Sequence, residues 1–264
     1  MTTHNDTKLK KLFKLLNSNN VITSSLLDDN GLSRHLRRYY QESGWIEPLG
    51  RGAYKKPGDK LEWQAGVNAL QNQLNIKVHV GGLTALTLHG FSHYFRLSKE
   101  TLYLFSPQQT RVPKWFTDYN WNVELFQKPT LFLPENMGIK EMEIKDVKVN
   151  ISTPERAILE CLFLAPQHAD LVESYQVLEG LVNLKPRLVS ELLLACTSIK
   201  VKRLFLYMAE KSDHQWFQFL KTDKIDMGSG DRMITESGAY SSKYRITIPK
   251  ELVDLKFHKH IKHK

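Results

Sequence analysis

Leucines and lysines recur at helical spacing through residues 8–18 (KLKKLFKLLNS), the pattern of an amphipathic first helix. Residues 24–28 fit a second short helix, with Asn30-Gly31 as the turn after it. A third helix is predicted over residues 33–41. On a wheel of about 100° per residue, Leu32, Leu36, Tyr39 and Ser43 fall on one side and Arg34, Arg37 and Gln41 on the other. Ser33 and Arg38 flank the polar side, and Gly44 ends the helix. Two short strands follow, residues 45–49 and 53–56, joined at Gly50-Arg51-Gly52. Three helices and a basic ribbon in this order predict a winged helix-turn-helix over residues 1–60.

Pro57-Gly58-Asp59 closes that segment, and residues 61–76 read as a linker helix with Trp63, Val67, Leu70 and Leu74 on one face. Residues 77–264 then read as a larger mixed α+β domain, which makes the fold class α+β. Strands are expected at 77–80, 101–106 and 121–126 and within 144–151, and a short helix at 83–90. Ser152-Thr153-Pro154-Glu155 carries the capping residue, early proline and first-turn acid of a helix start. Helices are expected at 171–181, 186–196 and 198–211, and a hairpin over 233–248 turning through Ser237-Gly238 and the residues after it, with its last strand at 244–248.

Charge changes this picture more than composition does. The chain of 264 residues carries a net +9. Residues 1–60 hold eleven Lys/Arg against six Asp/Glu, and residues 256–264 (KFHKHIKHK) hold four lysines and no acid. The excess therefore lies at the two ends, around a neutral body, which points to a polyanionic partner. A charged helix face is by default a solvated face. Here it sits beside a basic wing, which shifts the reading toward double-stranded DNA. Arg34, Arg37 and Gln41 would face base edges, with Ser33 and Arg38 nearer the backbone. Arg51 would project from the wing between two glycines, and Lys55, Lys56 and the first-helix lysines would meet phosphates. About six neutralised phosphates predict a log–log salt slope near −5.

Candidate chemistry elsewhere is sparse. Cys161 and Cys196 lie in apolar runs and read as buried free thiols of a reducing compartment. The N-terminus lacks a hydrophobic leader pattern and no long apolar run follows, so a cytoplasmic protein without a membrane partner is expected. His258, His260 and His263 could chelate an ion but read as a basic solvated tail, and His79, His89 and His93 as core or helix-end residues. Gly228-Ser229-Gly230-Asp231 lacks the lysine and helix of a phosphate loop and reads as a hairpin lead-in. No catalytic constellation, cofactor site or metal site is predicted.

Four segments in order, GWIEPLGRGAYKKPGD, VHVGGLTALTLHGFSHYF, STPERAILECL and SSKYRITIP, make the chain resemble the AbiEi-type antitoxins of type IV toxin–antitoxin systems. The resemblance implies an N-terminal winged helix that represses its own operon by binding inverted repeats in the promoter. It implies a C-terminal domain that neutralises a cognate AbiEii-like nucleotidyltransferase toxin, with direct contact between the two left open, in abortive infection against phage. It supplies no catalytic residues, and the Lys/His tail is not a feature of the resemblance. Two other readings stay open at this level. One is a winged-helix regulator with a ligand-sensing C-terminal domain and no toxin; the other is a nuclease with a DNA-binding head, against which the missing acidic cluster argues.

Overall fold

The computed structural model describes residues 2–16, 20–91 and 100–255. Leu12, Leu16, Ile22, Leu27, Leu32, Tyr40 and Ile46 gather into one apolar cluster. α1 (Thr2–Leu15), α2 (Ser24–Asp29) and α3 (Arg34–Glu42) close around it. The Thr23 hydroxyl caps α2 by accepting from the Leu26 N–H, and Ser33 caps α3 by accepting from Leu36. Gly31, at φ 75°, makes the left-handed turn between these two helices. β2 (Glu47–Gly50) and β3 (Ala53–Lys55) form the hairpin, and β1 (Ile22–Thr23) pairs antiparallel with β3, giving the order β1-β3-β2. This is a winged helix-turn-helix.

After the wing the chain forms α4 (Trp63–Asn68), which runs into a π turn at Ala69–Gln73. The turn's glutamines act as inserted peptides. Gln71 donates to the Val78 and Asn150 carbonyls and accepts from the Asn150 N–H. Gln73 accepts from the Thr23 N–H and donates to the Val21 carbonyl. One turn thus fastens the edge strand of the wing sheet, one strand of a larger sheet and the residue that leads into another of its strands. π turns are found at such functional joints.

The larger sheet has the order β6-β5-β4-β8-β7. β4 (His79–Val80) leads into α5 (Gly82–Leu88), and β5 (Thr101–Ser106) pairs antiparallel with β4. β6 (Glu124–Pro129) runs parallel to β5, from Thr101 opposite Glu124 to Ser106 opposite Pro129. A parallel pair needs a crossover, and this one contains α6 (Lys114–Asp118) with Trp115 and Phe116 buried. β6 starts three residues later than the sequence suggests because Trp121 is drawn inward. Its indole N–H donates to the Phe116 carbonyl at 2.7 Å, and its ring covers Gly66. β7 (Ile139–Ile144) and β8 (Val147–Ser152) are joined by Lys145-Asp146, both with positive φ, the backbone of a tight hairpin turn.

Two compact units result. The first holds residues 1–80, 99–129 and 141–151, and the second holds 81–98, 130–140 and 152–264. In the second, α7 (Pro154–Leu164) is buried on every side, polar residues included. Glu160 accepts from the Gly82 N–H, the Ser152 hydroxyl and Arg156 Nε. Arg156 also donates to the Pro134 and Met137 carbonyls. The STPERAILECL segment is therefore a buried polar clasp, each charge met by a partner.

α8 (Leu171–Gly180), α9 (Pro186–Ala195) and α10 (Ile199–Lys211) follow. A small sheet, β9 (Arg232–Met233), β10 (Ala239–Ser241) and β11 (Ile246–Ile248), precedes α11 (Lys250–Asp254). The expected hairpin is present with a shorter, later turn. β10 and β11 pair from Ala239 opposite Ile248 to Ser241 opposite Ile246, so the chain reverses after Ser241, in the later part of the expected turn, and residues 239–241 are strand. β9 joins β11 in parallel.

Candidate nucleic-acid interface

α3 buries Arg37 and Tyr40, with Leu36 half-buried between them and Leu32 buried just ahead of the helix. Arg34, His35, Arg38, Tyr39 and Gln41 are exposed. The expected wheel is thereby corrected: Tyr39 faces outward at 58% exposure and Arg37 inward at 7%. Polarity alone misplaced Arg37 because its partners lie elsewhere in the chain. Its Nη1 donates to the Ser24 and Leu32 carbonyls and pairs with the Asp28 carboxylate. The aliphatic stem can then lie in the core beside Leu32 without leaving a charge unpaired. Arg37 consequently ties α2 to α3 and is not presented as an open base-reading group.

The remaining expected residues divide in the same way. Arg34 and Gln41 stand on the open face. Arg38 is also open, and its Nε donates to Glu42 one turn on at 2.8 Å. Both partners are open to water, which screens the pair, so Arg38 can exchange Glu42 for another anion at little cost. Ser33 is exposed and acts as the helix cap. In the wing, Arg51 and Lys56 are exposed. Lys55 is 8% exposed and corrects the expectation of a phosphate-contacting side chain. Its ammonium donates to the Asp59 carbonyl at 2.7 Å and pairs with Glu47 at 3.1 Å, closing the base of the hairpin. That ammonium, with the Gly58 N–H, holds the Glu47 carboxyl below its usual range. From the first helix, Lys10, Lys11 and Lys14 are exposed and Lys8 is half-buried.

The two glycines flanking Arg51 have different reasons to be there. Gly52 adopts φ 91°, which a side chain would strain. Gly50 instead makes room for α6: a Cβ there would lie 3.1 Å from the Trp115 Cβ. Trp115 and the Gln73 amide thus brace the wing from two sides. Between α3 and the wing runs a groove of about 450 Å³, lined by Arg34, Arg37, Gln41, Arg51, Ser24 and Tyr54. Ser24, Tyr54, His35 and Tyr39 were not anticipated. The outward turn of His35 and Tyr39 becomes readable once Leu36 and Tyr40, one turn apart, define the buried stripe.

Other candidate chemistry finds no support among the described residues. No group of three or more His, Cys, Asp or Glu is placed to hold a metal ion. Cys161 and Cys196 are free and buried, and burial raises both thiols, Cys161 strongly. His79 is buried and His89 caps α5, its Nε2 2.9 Å from the Ser152 carbonyl. The Gly228–Asp231 stretch turns its carbonyls inward. Arg203, 1% exposed, donates to the carbonyls of Met227, Gly228, Gly230 and Arg245, so this loop grips a cation. His93, His258, His260, His263 and the tail lysines lie outside the described residues. No described helix is long and apolar enough to cross a membrane.

Residues 5–97 match a family model described as the N-terminal domain of a transcriptional regulator, AbiEi antitoxin. Residues 99–249 match one described as a transcriptional regulator, AbiEi antitoxin, of a type IV toxin–antitoxin system. No curated protein matches. Among solved structures, the chain is similar to the RV2827C protein from Mycobacterium tuberculosis. The TM-score is 0.56 with 14% identity, over 86% of this chain and 85% of that one, a likeness of fold.

Proposed function

This chain belongs to the AbiEi antitoxin family, transcriptional regulators of type IV toxin–antitoxin systems, and we propose that it both represses its own operon and restrains a cognate toxin. The winged helix binds double-stranded DNA at inverted repeats in the promoter. Arg34, Gln41 and Arg38 meet the duplex from α3, Arg51 and Lys56 from the wing, and Lys10, Lys11 and Lys14 supply phosphate contacts. Ser33, Arg37 and Lys55 act by holding α3 and the hairpin in shape. The observation that carries this reading is the convergence of Arg34, Gln41 and Arg51 on one groove beside a braced wing. Arginine and glutamine are side chains suited to base edges and phosphates.

The remainder of the chain, proposed to work in the cytoplasm without catalysis, neutralises an AbiEii-like nucleotidyltransferase. Clasps such as Glu160–Arg156 and the Arg203 loop are structural on this reading. Co-expression tests it. The neighbouring gene expressed alone should stop growth, and this chain should restore it. A neighbour that is harmless alone would favour a ligand-sensing regulator without a toxin. Rescue by residues 1–60 alone would overturn the division of labour.

A further inference from the structure

The α3–wing groove is lined by three guanidinium groups, those of Arg34, Arg37 and Arg51, and by no carboxylate. Arg37 forms its floor. Its side chain is 9% exposed, and Nη1 is committed to Ser24, Leu32 and Asp28. Its Nε is buried and has no hydrogen-bond partner among the described residues. Nη1 is thus taken, while Nε keeps an unused donor. Asp28 balances only one of the three positive charges, leaving the groove with a net excess of two. Each wall is also fixed: α3 by the Arg37–Asp28 tie, and the wing by Trp115 against Gly50 and Gln73 against β1.

From these observations we propose that the groove is a seat for a single phosphate group. Arg37 is the fixed floor, and Arg34 and Arg51 close on the anion from α3 and the wing. The proposal rests on the DNA reading, and the phosphate it commits to is one in the backbone of the bound duplex. A phosphate clasped by helix and wing together fixes the register of α3 along the groove of the DNA, while Gln41 remains free for base edges. Preorganisation is the point of the buried arginine, since no flexible cation has to be ordered at its position.

Two arms test this on the full chain. In the first, the Arg37 Nε–Hε resonance is followed as inorganic phosphate is added, against chloride at matched ionic strength. A saturable shift with phosphate alone, lost in the R34Q/R51Q variant, is expected. A shift that follows ionic strength, or that survives in that variant, overturns the seat. In the second arm, single methylphosphonates are walked along the upstream duplex. One position per winged helix should lower affinity about tenfold and the salt slope by about 0.9, and R51Q should flatten that position. Tight binding with an even, small penalty at every position would also overturn the seat while leaving the DNA reading intact. If no duplex is retained yet Arg37 still responds saturably, the DNA reading fails separately and the seat serves a free phosphate ligand.

Discussion

Replacing Arg37 with alanine separates the structural account from the base-reading expectation. The substitution removes an ion pair to Asp28 and donors to the Ser24 and Leu32 carbonyls. Asp28 is 56% exposed and regains water, so losing its partner costs little. The Leu32 bond is fully buried, and an unsatisfied buried acceptor costs about 1–3 kcal/mol. Loss of the buried stem adds a packing term of similar order. About 3 kcal/mol is therefore expected, which is roughly a hundredfold fall in amide protection where α2 and α3 meet. Hydrogen exchange followed by mass spectrometry reads this without requiring the whole chain to unfold as one unit. Arg34→Gln, on the open face, serves as the control and should leave protection unchanged while weakening DNA binding. Unchanged protection of residues 24–42 in Arg37→Ala, with DNA affinity lost, would refute the reasoning and restore Arg37 to the base-reading face.

Other substitutions probe the remainder of the fold. Gly66→Ala places a Cβ 2.6 Å from the Trp121 ring and 2.9 Å from Phe116, so a loss of about 1–3 kcal/mol should appear as a lower melting temperature and altered near-ultraviolet dichroism; unchanged melting would contradict the packing. Arg203→Met leaves four carbonyls without their donor and should deprotect residues 227–245 by more than tenfold in hydrogen exchange, with α3 unaffected. His89 is held below its ordinary pKa of 6.5 by burial, against the opposing Ser152 carbonyl. The folded state therefore binds fewer protons than the unfolded chain, and the stability present above pH 6.5 is lost as pH falls through the folded pKa. His89→Gln should flatten that decline in a urea titration series, and an equally steep decline in the variant would count against it.

What could be read from the chain follows from which interactions are local. Ser198 before α10, Pro154 at the start of α7 and the alternation in β5 are signals carried by adjacent residues, and those elements lie where they were expected. The winged helix was legible because its helices, turn and ribbon occur in sequence. β7 was missed because IKEMEI alternates weakly and depends on its pairing with β8. Trp121 shifted the start of β6 because its partner, Gly66, is 55 residues distant. In the site itself, side-chain type identified the open arginines, Arg34, Arg38 and Arg51. It misjudged Arg37 and Lys55, since a helical wheel does not include an aspartate in the preceding helix or a glutamate across the hairpin. The π turn that braces the wing has no local signature at all. Its glutamines gain meaning only from the strands they hold.

The most direct test of the central claim is retention of the chain's own upstream duplex, against a scrambled duplex of equal length and composition, across a salt series. Binding to the upstream sequence should be tighter by at least about a thousandfold, with a log–log slope near −5, and the R34Q/R51Q variant should lose both preference and slope. Equal retention of both duplexes, or an unchanged preference in that variant, would contradict it.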